Sequence, residues 1–345
     1  SDHDIVSLPL MQNITKSASL QLLVNLCMHC LLKDEFITGV YTALLATELT
    51  IKDGLSAYSA SAFTMYGLVE SFLGNHNQGY RYGQLAMTLL IQNPCKDAEC
   101  SAIAVGCNNI LHWRKPLHKL EEPLRKALHC GFEIGDVVYG TFCVSLFFGV
   151  SFIIGKNLVE LESFMRKTYS RLCDLSQEAL VLWAQASMQC VLNLRRETDE
   201  WKDLTSLTGE VMNEEEYDRC AKEDKNAVLV MLKCFYKTIL AYHFGFFAMA
   251  EENCKKLITL SQITRHSYAL LSCHFYSAMV FFEQYRRTSK RKYIVWAKKR
   301  TRALQQIHNE GNPNAAIYLS LLEAELVSTR IKQPTLVISS YERAI

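Results

Sequence analysis

Gly79-Tyr80-Arg81-Tyr82-Gly83-Gln84-Leu85-Ala86 follows a segment carrying Phe63, Tyr66 and Gly67, with Gly74 between the two. Glycine weakens an isolated helix, so glycines inside two otherwise helical segments need another reason. Small side chains are required where two helices cross closely, and aromatic rings then fill the gaps beside the crossing. Gly67, Gly79 and Ala86, spaced 12 and 7 residues, stand at such crossing positions. The pattern predicts a helix ending near Gly74 and a second, antiparallel one over 76–92.

The same device returns twice. Gly245 marks a turn before Phe247, Ala250 and Leu257, and Tyr341-Glu342-Arg343-Ala344-Ile345 has the form of the end of another such unit. All three resemble degenerate tetratricopeptide units, in which helix pairs stack into a solenoid. Apolar periodicity extends the helical reading to 15–31, 34–51, 55–73, 97–113, 116–130, 136–154, 157–173, 176–195, 213–222, 225–243, 246–261, 265–285, 288–309, 313–330 and 334–345. Gly131 and Gly135 are placed to take the left-handed conformation after a helix, with Asp136 capping the next. Asn213 and Glu216 have capping-box spacing. Pro313 and Pro334 fit first helical turns. The longest loop is expected over 197–212. No segment reads as a strand ladder. The expected fold is all-α, a tetratricopeptide-like solenoid of antiparallel helix pairs forming one region over 1–345.

Composition agrees. A chain of 345 residues makes two ordinary domains or one elongated array, and 6 prolines with 15 glycines leave few turn residues for an all-β fold. The 21% charged content is too low for a disordered chain. A net charge of +2 argues against a global binder of nucleic acid or anionic membrane. Thirteen cysteines, mostly inside apolar stretches, point to a reducing, cytoplasmic setting. Ser1-Asp2-His3-Asp4 does not open a signal peptide, and the mid-helix pattern at Ile345 leads us to expect a fragment of a larger multidomain protein. The 19 uncharged residues of 137–155 have the length of a membrane span, but Gly140, Gly149 and Gly155 among them favour a helix buried on all sides.

A longer pattern runs through His112-Trp113, Lys115-Pro116-Leu117, Ala127, Gly131, Glu133, Gly135-Asp136 and Tyr139. With it go Ser61-Ala62-Phe63, Phe152 with Gly155 and Leu158, Gln189 with Val191, Asn193 and Leu194, and Asn213-Glu214-Glu215-Glu216. In this order the chain resembles the central helical region of the large hybrid histidine kinases of bacteria and fungi, with a fungal member the expected branch. The resemblance implies a kinase-like domain and an AAA-type ATPase before this region, and a GAF domain and histidine kinase after it. It further implies a non-catalytic regulatory and sensing segment whose partners are neighbouring domains of the same polypeptide and other signalling proteins. The alternatives are a passive spacer and a small-molecule-binding solenoid. No phosphate loop, kinase catalytic motif or histidine-kinase nucleotide box occurs in the chain.

The densest charge feature is Arg286, Arg287, Lys290, Arg291, Lys292, Lys298, Lys299, Arg300 and Arg302, with no acid among residues 286–302. Removing it leaves 28 basic against 35 acidic residues, a net −7. Such a tract is a nuclear-import signal, a phosphate-binding patch, a docking face for an acidic partner domain, or the solvated side of a helix packed through Tyr293, Val295 and Trp296. Nucleic acid is not expected without a reading module. Cys27-Met28-His29-Cys30 lacks a second ligand pair to complete a zinc site, so no metal or cofactor is expected. Cys95 and Cys100 flank an expected turn and are candidates for peroxide sensing. His112, Trp113, Pro116, Gly131, Gly135, Asp136 and Tyr139 are read as structural. The recurring aromatics Phe244, Phe246, Phe247, Tyr276, Phe281 and Phe282 are read as core, some of them candidates to line a groove.

Overall fold

The structure, a computed structural model, describes residues 1–32, 35–174, 178–195, 204–260, 266–330 and 333–344. Residues 34, 176–177, 261, 265 and 345 of the expected helices, and 197–203 of the expected loop, lie outside the described residues. Those described are all-helical, with seventeen α-helices, two short 3-10 turns and no strand beyond one isolated bridge between Leu10 and Leu55.

The contacts divide the chain into two compact units, Ser1–Arg114 with Lys119–Phe147, and Lys115–His118 with Phe148–Ile345. The first holds α1 (Asp2–Val6), α2 (Ile14–Leu32), α3 (Phe36–Asp53), α4 (Ser59–Phe72), α5 (His76–Gln92), α6 (Lys96–Asn109), α7 (Glu121–Ile134) and the start of α8 (Val137–Ile153). Here α2 packs on α3, α4 on α5 and α6 on α7. Only residues 73–75 join α4 to α5, so two helices in such wide contact must run antiparallel. Their crossing is where the glycines lie. Each of Gly67 and Gly79 faces the other's carbonyl oxygen, while Ala86 is fully buried and Phe63 stacks on Tyr82 at 6.2 Å.

The second unit holds the end of α8, then α9 (Leu158–Asp174), α10 (Glu178–Arg195), α11 (Glu214–Glu223), α12 (Ala227–His243) and α13 (Phe247–Thr259). It continues through α14 (Ala269–Thr288), α15 (Arg291–Asn309), α16 (Ala315–Arg330) and α17 (Pro334–Glu342). Sequence neighbours pair again: α9 with α10, α12 with α13, α14 with α15, and α16 with α17. Gly245 turns α12 into α13 at φ 80°, and Ala250 and Leu257 are buried beyond it. The core runs through Ala186, Leu207, Tyr217, Leu229, Phe235, Ile239 and Leu240. Neighbour-on-neighbour pairing of this kind is the packing of an α-solenoid.

Several expectations need correction. The helix expected over 97–113 stops at Asn109, and His112 and Trp113 form a 3-10 turn instead. The next helix begins at Glu121, not 116, because Asn314 accepts from the Leu117 amide at 2.8 Å and donates to the Lys115 carbonyl at 3.1 Å. Those bonds hold Pro116 out of any helix. Gly131 is not a C-cap: it lies inside α7, where a Cβ would come within 2.8 Å of the Gly140 Cα in α8. Gly135 alone takes the left-handed conformation, at φ 78°. Pro313 precedes α16 in a turn closed by the Asn312 side chain on the Asn314 amide, whereas Pro334 opens α17. The short α1 has no counterpart in the expected helices.

α8 is the uncharged run. Thr141, Cys143, Val144, Phe148 and Ser151 are fully buried, which is why it shows no polar face. Among the described residues no helix is long and apolar enough to cross a membrane.

Candidate functional site

The basic tract begins at the end of α14. Arg286 ion-pairs with Glu325 on α16 and with Glu283 at 3.2 Å, and donates to Ser328 at 3.2 Å. Glu325 is buried and also accepts from Tyr341 at 2.9 Å. Burial opposes the Arg286 charge, and Glu325 more than restores it, so the guanidinium is held above its ordinary range. Arg287 pairs with Glu283 at 2.8 Å and lies over the Phe247 ring at 4.1 Å. Both arginines are thus engaged within the fold.

Lys290 caps α15, and the rest of the tract winds around it at 100° per residue. Tyr293, Ala297, Thr301, Leu304 and Ile307 are buried. Arg291, Val295, Lys298 and Arg302 recur every three or four residues on the opposite side, with Lys299 beside them. Among the described residues, the side chains of Arg291, Lys298, Lys299 and Arg302 make no hydrogen bond or ion pair. Val295 is 53% exposed in their midst. Lys292 lies over Tyr293 at 4.7 Å and Trp296 at 5.4 Å, so it covers the edge of the packed face.

Arg300 departs from the expected surface. It lies on the packed side of α15, half-buried beside His274, Cys273 and Ser277 of α14 and Leu257 of α13. Burial holds its pKa below that of an ordinary arginine, and the guanidinium stays charged. The nine basic residues of 286–302 therefore separate into the ion-paired Arg286 and Arg287, the solvated stripe of Arg291, Lys298, Lys299 and Arg302, Lys290 at the start of α15, Lys292 over two rings, and the inward Arg300.

The sequence did not single out the two buried acids that organise this region. Glu325 carries no local signal. Glu251, on α13, accepts from Tyr293 at 2.9 Å and Gln284 at 3.1 Å and pairs with Lys255 at 2.7 Å. Burial opposes its ionisation, yet the bonds from Lys255 and Tyr293 hold its carboxyl below the usual range. Its four-residue spacing from Lys255 is the only trace in the sequence.

The other pattern residues form joints. Trp113 stacks on His76 with ring centroids 3.5 Å apart, and His112 is buried at its side. Asp136 accepts from the Tyr139 amide at 3.1 Å and so caps α8. Gln189 accepts from the Val211 amide at 3.0 Å and donates to Asn193, which donates to the Leu204 and Ser206 carbonyls. Asn213 caps α11 through the Glu215 and Glu216 amides. Residues 204–212 are thereby tied to α10 as an ordered, non-helical strap. Of the aromatics, Phe281 and Phe282 are core, Phe246 is 47% exposed, and Tyr276 meets Phe235, Tyr242 and Phe275 edge-on.

Cys27 and Cys30 are buried near the end of α2, and Cys27 donates to the Gly39 carbonyl at 3.3 Å. Burial pushes the Cys27 thiol up to about 11. Cys95 and Cys100 do not flank a turn: Cys95 precedes α6, and Cys100 lies on its buried face, donating to the Ala127 carbonyl at 2.9 Å. Burial raises the Cys100 thiol far above its ordinary range, which removes the thiolate that peroxide chemistry needs. Among the described residues no group of three or more His, Cys, Asp or Glu side chains is arranged to hold a metal ion.

No protein-family model matches the chain, and no curated protein matches it.

Proposed function

We propose that this chain is a non-catalytic interaction and regulatory segment, built of tetratricopeptide-like repeats, of a cytoplasmic hybrid histidine kinase. The observation that carries the interaction reading is the solvated stripe Arg291, Lys298, Lys299 and Arg302 on α15, set in an otherwise acidic chain. A helix with no acid of its own, kept basic on its solvated side, offers an electrostatic docking face for an acidic partner. The family reading rests on the pattern residues. Trp113, Gly131, Gln189 and Asn193 each hold a joint between helices, or between a helix and a strap, and Asp136 caps α8, which supports an architectural role for the pattern.

Mechanistically, paired helices stacked on their neighbours can change curvature by small rotations between pairs. A partner favouring one curvature would shift the balance of arrangements in the domains on either side. The test is a salt-dependent binding titration between this chain and the ATPase and histidine-kinase domains that the resemblance implies. Saturable binding that weakens with salt supports the reading. Replacing the segment in the parent kinase with an unrelated solenoid of equal length, and finding the stimulus response intact, would reduce it to a spacer.

A further inference from the structure

We propose that the cleft between α13, α14 and α15 binds a single small oxyanion, a phosphate or a carboxylate, through the Arg300 guanidinium and the His274 imidazole. Three observations converge on it. Arg300 and His274 line one cleft, whose walls are otherwise Leu257, Ile258, Leu270, Cys273 and Ser277. The guanidinium carries five N–H donors in a fixed fork, yet it makes no hydrogen bond or ion pair among the described residues. A cation half removed from water without a counter-ion is costly, and an anion drawn from solvent offsets that cost.

Among the described residues the surroundings supply no internal substitute. Burial and then the Arg300 charge act on His274, lowering it to about 4; on Arg300 itself, burial acts first and then the Cys254 thiol. Among the described residues no carboxylate acts on either group. The Ser277 hydroxyl, also in the cleft, is turned to the Cys254 thiol. At neutral pH His274 is therefore uncharged and offers one N–H, while Arg300 supplies the charge and a bidentate fork.

Size sets the ligand class. The space the cleft encloses is about 10 Å³, room for about one water-sized group. That is far below the roughly 300–1,000 Å³ that encloses a metabolite. It admits one oxygen of an anionic group, free or at the tip of a larger molecule, whose remainder stands in the open mouth.

The test uses the full 345-residue chain. The ring signals of His274, assigned through His274→Gln, are followed by NMR at constant ionic strength during titration with sodium phosphate, phenyl phosphate, acetate or chloride. Saturable movement with phosphate, phenyl phosphate or acetate is expected. Phosphate without phenyl phosphate identifies a free ion, phenyl phosphate a phosphate ester, and acetate as the tightest a carboxylate. Arg300→Gln should weaken binding about tenfold or more, as loss of a charge-assisted fork requires. Neutralising Lys298, Lys299 and Arg302 should leave it unchanged. If Arg300→Gln does not fold, Arg300→Lys takes its place and should bind more weakly than the parent. The proposal is overturned by the absence of saturable movement with any oxyanion, by an equal response to chloride, or by affinity untouched by the Arg300 substitution that folds.

Discussion

A Cβ on Gly67 would lie 2.9 Å from the carbonyl oxygen of Gly79, and one on Gly79 would lie 2.8 Å from that of Gly67. The two backbones touch at the crossing of α4 and α5. Gly67→Ala or Gly79→Ala should each destabilise by about 1–3 kcal/mol through overlap, against a helix-propensity gain of about 1 kcal/mol. Gly79→Ala should cost more, because its Cβ also meets the Ser71 Oγ at 2.3 Å. Urea denaturation midpoints read the difference; variants as stable as the parent would show that the helices can separate freely.

Gly131 and Gly135 are glycine for different reasons. Gly131 sits against the Gly140 Cα, while Gly135 has open space around it and a left-handed backbone. Gly135→Asn should therefore be well tolerated, since asparagine enters that conformation at little cost, whereas Gly131→Asn should cost about 3 kcal/mol. Thermal midpoints of the two variants check this. Equal losses would contradict the assignment of separate roles.

The Arg286–Glu325 pair holds α14 to α16 with a buried carboxylate at its centre. Arg286→Met should lower stability by about 3 kcal/mol, because it leaves Glu325 buried without its cation. Tyr341→Phe should cost about 1 kcal/mol. A double-mutant cycle in denaturant should give a coupling energy well above that of an exposed pair; a value near zero would mean that the pair is solvated.

His274 ties stability to pH. Its folded value lies below the ordinary 6.5, at about 4, so below pH 6.5 the unfolded chain binds the proton that the folded chain refuses. The stability this contributes is complete above pH 6.5 and is lost as pH falls towards 4. Between pH 7 and 5 the loss should be about 1–2 kcal/mol, and His274→Gln should remove it. Denaturation of both proteins across that range in a buffer free of oxyanions tests the sign: greater stability at pH 5 would refute it.

The helices were legible wherever apolar period and capping residues agreed. His76–Gln92 is bounded as the sequence predicts, and Asn213 and Asp136 cap the helices they precede. Gly131 was misplaced because a left-handed cap and a close crossing ask for the same residue, and only the neighbour, Gly140, distinguishes them. The breaks at Asn109 and before Glu121 depend on contacts distant in sequence, Trp113 with His76 and Leu117 with Asn314. The basic tract is continuous as a string but not as a surface. A 100° step per residue places Arg300 on the packed side and Lys299 on the solvated one. Its acids, Glu251 and Glu325, come from other helices and leave almost no local signature.

The docking role stands or falls on the α15 stripe. Binding of this chain to ATPase and histidine-kinase domains of the kind the resemblance implies, measured across a salt series, should weaken about tenfold or more when Lys298, Lys299 and Arg302 are replaced together by glutamine, with a shallower dependence on salt. Affinity and salt dependence equal to those of the parent protein would contradict it.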